Sequence, residues 1–185
     1  MASTQAMGMT EQQKKSVDEM VEKATNMGVN VQAQNSAVVS MINQTNVSMT
    51  FNENHNWSGS VVGTGYPKSI PTKQSRQFIH QGDAKDGSQG AVVYYGSNAN
   101  GEPCGWLLAW CAPTNVTPTK PNRVYVDCGA QSKFDTISWD TIKAKLDVGP
   151  ATTNFTDVDT ETTIAAGVTS TGSFASVGAA FGLST

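Results

Sequence analysis

The stretch AVVYYGSNANGEPCGWLLAWCA, residues 91–112, decides how the rest of the chain reads. Two apolar runs, 91–96 and 105–112, flank SNANGEPC, in which Asn100-Gly101 is a hairpin-turn dipeptide. Alternate side chains of a strand face opposite sides of the sheet. Trp106, Leu108 and Trp110 therefore share one face, and Leu107, Ala109 and Cys111 share the other. Both faces are apolar, so this strand is expected in the middle of a sheet and covered on both sides. Val92 and Tyr94 oppose Val93 and Tyr95 in the same manner.

Outward from this pair the strand signals continue. AVVSMI (37–42) is a short β-prone run followed by the turn residues NQTN, and VSMTF (47–51) alternates with Val47, Met49 and Phe51 on one face. GSVVGTG (59–65) and RQFIHQG (76–82) are weaker candidates. RVYVDCG (123–129) follows a loop containing Pro113, Pro118 and Pro121. A helix is expected over 10–28, with Thr10 and Gln13 in a capping-box pattern and Gly28 as the stop. Its apolar stripe is Val17, Met20, Val21, Ala24 and Met27. A second helix is expected over 138–147, capped by Ser138, with Trp139, Ile142 and Leu146 inward. Residues 151–185 contain no Lys or Arg and are mostly Thr, Ser, Gly and Ala. They read as a loosely ordered extension, with extra edge strands or a membrane-inserting hairpin as alternatives.

These elements predict a mainly β protein: an antiparallel β-sandwich with an N-terminal helix and a helix after the last core strand. Three segments follow: residues 1–29 as a helical segment, 30–150 as the sandwich domain, and 151–185 as the C-terminal tail.

Composition excludes several functions. The chain has 185 residues, of which 15% are charged, with a net charge of −3. Nucleic-acid binding requires a basic footprint, which is missing. No run of about 18 apolar residues forms a transmembrane span. The start, MASTQAMGMT, lacks a signal-peptide apolar region, and the three cysteines are too few and odd for a disulfide scaffold. Both observations lead to the expectation of a cytoplasmic protein with free thiols. The five Asn-x-Ser/Thr sequons are then products of Asn- and Thr-rich composition.

No strong catalytic signature appears. Cys104 and Cys111 lie seven residues apart on one expected strand, roughly 23 Å at about 3.3 Å per residue, and on opposite faces. They cannot share a metal or a disulfide there, and neither a metal nor a cofactor is expected. The glycine pairs at 63–65 and 87–90 lack the strand–loop–helix context of a phosphate cradle. The more open option is a binding surface. Trp57, Tyr66 and His55 occupy NENHNWSGSVVGTGYPKSIP, where Asn and Ser supply hydrogen-bonding groups for hydroxyls. With His80 they form the candidate ligand-binding set.

The blocks MINQTN, HNWSGS, YPKSIP, FIHQGD and GSQGAVVYYGSNANGEPCGWLLAWCAP, followed by SWDTIKAKL, resemble the plant 23 kDa jasmonate-induced protein family. The resemblance covers residues 30–148 and rests on order and spacing: Trp57, Tyr66-Pro67, Phe78 to His80, Ala91 to Tyr94, Leu107 to Trp110, and Trp139 to Leu146. It implies an intracellular, stress-responsive plant protein, with no catalytic residue to carry over. The element order is also similar to actinoporin- and aegerolysin-like sandwiches at the level of fold. The leading expectation is a non-enzymatic defence protein that binds carbohydrate or lipid headgroups. One alternative is a small enzyme pairing a histidine with a cysteine or carboxylate. Another is a membrane-active or self-assembling protein, and a homo-oligomer is compatible with each.

Overall fold

The structure, a computed structural model, describes residues 8–184. The first residues, read above as a cytosolic start, lie outside them. Helix α1 spans Glu11–Val31, followed by strands β1 (Ser36–Asn43), β2 (Met49–Ser58), β3 (Ser60–Val62), β4 (Ser69–Ile70) and β5 (Ser75–Gln81). Next come β6 (Ser88–Ser97), β7 (Pro103–Ala112) and β8 (Arg123–Ala130), then helix α2 (Trp139–Leu146). The chain closes with β9 (Thr152–Asp157), β10 (Thr162–Thr171) and β11 (Phe174–Leu183). Two sheets face each other, ordered β3-β5-β1-β11-β10-β9 and β4-β2-β6-β7-β8. This is the expected sandwich with one helix before it and one after β8. All pairings are antiparallel except that of β1 with β11, which is parallel over seven residue pairs.

The hairpin of β6 and β7 anchors the core as its doubly apolar pattern requires. Trp106, Leu108 and Trp110 point between the sheets, where Tyr94, Phe78, Met41 and Phe181 meet them. Leu107, Ala109 and Cys111 point the other way and are covered by Phe134, Ile142 and Leu146. The Trp106 indole nitrogen donates to the carbonyls of Thr163 (3.1 Å) and Gly182 (3.3 Å), tying one sheet to the other.

The described part of the tail, residues 151–184, corrects the expectation of a loose extension. They form β9, β10 and β11, and β10 and β11 lie inside their sheet with β11 buried along nearly its whole length. Their small side chains have a packing reason. Helix α1 lies directly on this part of the sheet, so a Cβ at Gly178 would stand 2.6 Å from the backbone of Val17 and Val21. Ala and Gly therefore mark a close helix–sheet approach rather than disorder. The same approach corrects the end of α1. Gly28 does not stop the helix; it seats the Phe174 ring, which a Cβ there would meet at 2.3 Å. The helix runs on to Val31 and ends at Gln32, in the left-handed region with φ 54°. Its start is as expected, with the Thr10–Gln13 capping box formed in both directions.

Candidate functional site

Strand β2 carries the aromatic and amide residues, and its pairing with β6 decides which way each one points. A bulge at Asn52, between Phe51 and Glu53, shifts the register. Phe51 pairs with inward-facing Tyr94, but beyond the bulge Glu53 and His55 pair with outward-facing Val93 and Ala91. Asn54 and Asn56 take the inward side instead, opposite Val92 and Gly90. The four candidate residues are split: the shift turns His55 and Trp57 outward, while Tyr66, between β3 and β4, and His80, on β5, face the core.

The inner group is a chain of neutral hydrogen bonds. His80, on β5 of one sheet, is fully buried and reaches across to the other sheet. Its Nδ1 lies 2.7 Å from Ser88 Oγ and its Nε2 lies 2.8 Å from Asn56 Oδ1. The Trp110 indole donates to Ser88 Oγ at 3.0 Å. The Tyr66 hydroxyl donates to Asn56 Oδ1 at 3.3 Å and accepts from Asn54 Nδ2 at 3.4 Å. One tautomer satisfies every contact: Nε2–H donates to Asn56, and Nδ1 accepts the Ser88 hydroxyl proton. Gly90 makes room for this contact, since a Cβ there would lie 2.8 Å from the Trp110 ring and 3.1 Å from His80 Nε2. Tyr66 closes the open side of the sandwich, stacked on Phe51 at 5.3 Å and edge-on to Phe78 at 5.0 Å.

Burial sets the chemistry of these groups. The His80 imidazole is pushed down to about 4 by desolvation. Desolvation pushes the Tyr66 phenol up to about 12 against a smaller opposing effect of the Asn54 hydrogen bond. A histidine held neutral in this way is a poor proton acceptor near neutral pH. Ser88, beside it, is fully buried under Trp110 and His80, leaving no approach for a substrate carbonyl. The cysteines are buried and free. Burial raises all three thiols, Cys128 to about 12. Among the described residues neither histidine pairs with a cysteine or carboxylate, as the enzyme alternative requires; His80 bonds only Ser88 and Asn56. No group of three or more His, Cys, Asp or Glu among them is placed to hold a metal ion.

The outer group is a ledge of three rings. His55 stacks on Trp139 with centroids 4.9 Å apart and 12° between planes. Trp57 stands edge-on to both, 5.1 Å from His55 and 6.2 Å from Trp139. All three are half-buried, resting on the apolar patch under α2 with their remaining surface in solvent. Spacing alone assigns Trp139 to the inward stripe of the second helix. It does pack against the cluster of Ile142 and Leu146, and from the first position of α2 it also reaches the His55 and Trp57 rings of β2. A Trp at the start of a short helix, paired with a β-strand Trp in a bulged strand, is the signal that sequence periodicity passes over.

The sequence model of the Nakanori-like protein family matches residues 2–179 of this chain. Among solved structures, the chain is similar to the lipid-binding protein Nakanori, with a TM-score of 0.72 and 18% identity. That likeness covers 89% of this chain and 79% of the other. It is also similar to a lectin from Xerocomus chrysenteron, with a TM-score of 0.44 and 12% identity, over 79% of this chain and 99% of the lectin.

Proposed function

Because the chain belongs to the Nakanori-like protein family, we propose that it is a non-enzymatic binding protein that docks on lipid headgroups at a bilayer surface. The observation that carries this reading is the His55–Trp57–Trp139 ledge. Indole rings combine an apolar body with a polar N–H and favour the boundary between headgroups and acyl chains. Lys143, one turn along α2 from Trp139, is ion-paired with Asp147, and Lys145 rests on the Tyr125 ring of β8, so the ledge engages that boundary through its rings rather than through a phosphate contact. The solved relative described as a lipid-binding protein supports the same reading. Among the described residues no helix is long and apolar enough to cross a membrane, so docking at the surface is the mode proposed.

The sequence resemblance extends this proposal to a jasmonate- or stress-responsive defence role in the cytoplasm, which transcript levels after hormone treatment and cell fractionation test. Vesicle co-sedimentation tests the binding itself, with phosphatidylcholine alone and with added phosphatidylserine. Trp57→Ala and Trp139→Ala are each expected to weaken binding about tenfold, near 1.4 kcal/mol, with unchanged far-ultraviolet dichroism. Equal binding by the parent protein and both folded variants removes the ledge from the function. No binding to any vesicle removes the lipid reading.

A further inference from the structure

We propose that the groove between the C-terminal half of α1 and the outer face of β5 is a second ligand site, one for a neutral, hydroxyl-rich glycan. The pleat of β5 builds its floor. Phe78 and His80 point into the core, so Ser75, Gln77, Ile79 and Gln81 point outward, the first two beside the helix and the last two beside the segment that follows it. The upper wall is one helix face, Lys23, Asn26, Met27 and Asn30, at spacings of three and four residues. This part of the groove holds about 420 Å³. Past Val31 it continues into a second depression of about 500 Å³, bounded by residues 32–36 and by Val62 of β3. From Ser75 to Gln81 the floor runs roughly 20 Å at about 3.3 Å per residue, a length suited to an oligosaccharide rather than a single ring.

The chemistry of the lining selects the ligand. Among the described residues Lys23 is the single charged one along either depression, and its ammonium already donates to Ser75 Oγ at 2.8 Å. A charged ligand would find no opposite charge beyond that one group. The amides offer donors and acceptors together, the pairing that sugar hydroxyls need. Asn26, Asn30, Gln32, Gln34 and Asn35 make no side-chain hydrogen bond within the protein among the described residues. Between the amides lie Met27, Ile79, and the exposed Val31 (51%) and Val62 (40%). These apolar surfaces match the C–H face of a pyranose.

The loop is also held in place before any ligand arrives. Asn35 N–H donates to the Ser173 carbonyl at 2.7 Å, and Gly82 N–H donates to the Asn35 carbonyl at 2.9 Å. A preformed site loses less ordering entropy on binding. The groove lies on the outer face of the opposite sheet from the aromatic ledge, so this site does not rest on the lipid reading.

The test uses the full chain on an array of neutral and sialylated oligosaccharides. Vesicles of phosphatidylcholine with and without glucosylceramide then separate a free glycan from a glycolipid headgroup. Neutral oligosaccharides are expected to bind. Asn30→Asp and Gln34→Glu, which keep shape and add charge at exposed positions, are expected to weaken binding at least about tenfold. Asn30→Gln, which keeps the amide, and Trp139→Ala are expected to retain it. Groove-dependent binding to free glycans, to glucosylceramide vesicles or to both supports the site. Three results overturn it: no neutral glycan bound, a preference for sialylated ones, or binding lost in Trp139→Ala but kept in the two charged variants.

Discussion

His80 joins the two sheets as a neutral imidazole, and lowering the pH tests that directly. Its ordinary value of 6.5 falls to about 4 in the folded protein because the ring is fully desolvated. The unfolded chain therefore binds a proton that the folded chain refuses. Stability from this group is complete above about pH 6.5 and is lost as the pH falls through that value toward 4. At about 1.36 kcal/mol for each pH step between those two values, the full loss below pH 4 is about 3 kcal/mol, and the loss by pH 5 is about 2 kcal/mol. The geometry agrees with the sign. A proton on Nδ1 would turn the acceptor facing Ser88 Oγ into a donor, while Trp110 already donates to that oxygen. Urea unfolding at pH 7 and pH 5, followed by tryptophan fluorescence, measures the loss. His80→Gln can keep a donor toward Asn56 but cannot titrate, so its stability is expected to change about 2 kcal/mol less over that interval. Carboxylates common to both proteins cancel in the difference. Identical pH dependence in the two proteins, or a folded-state imidazole titrating near 6.5 by nuclear magnetic resonance, would refute the reasoning.

Two further outcomes follow from packing. Gly178→Ala forces a methyl group against the α1 backbone and is expected to cost about 1–3 kcal/mol. Thermal unfolding measures this cost, and an unchanged midpoint would mean that the helix does not sit on the sheet as described. Because Cys104, Cys111 and Cys128 are buried and their thiols raised, none should react with an aromatic disulfide reagent in native buffer, and all three should react in denaturant. Rapid labelling of the native protein would contradict their burial.

The site was less legible than the fold, and β2 shows why. Read with an uninterrupted period of two, Phe51, His55 and Trp57 share one face. The bulge at Asn52 leaves Phe51 in the core and turns the other two outward. Nothing in NENHNW announces a bulge, because its position is set by pairing with β6. Tyr66 and Trp57 stand nine residues apart in one loop-rich segment and end on opposite faces of their sheet. The ring that does meet Trp57 is Trp139, which arrives from α2 across 82 residues of chain (139 minus 57).

Local chemistry was enough for the elements whose side chains differ sharply from face to face. The doubly apolar β7, the Thr10 and Ser138 caps and the opposed Cys104 and Cys111 were all readable, because hydrophobic contrast and capping act over a few residues. Tertiary structure alone decided the order of the strands, the parallel pairing of β1 with β11, and the burial of 164–168 and 175–182. Small residues carry little hydrophobic contrast and do not reveal a buried strand by themselves. Their meaning appears only once helix α1 rests on them at a distance that admits no larger side chain.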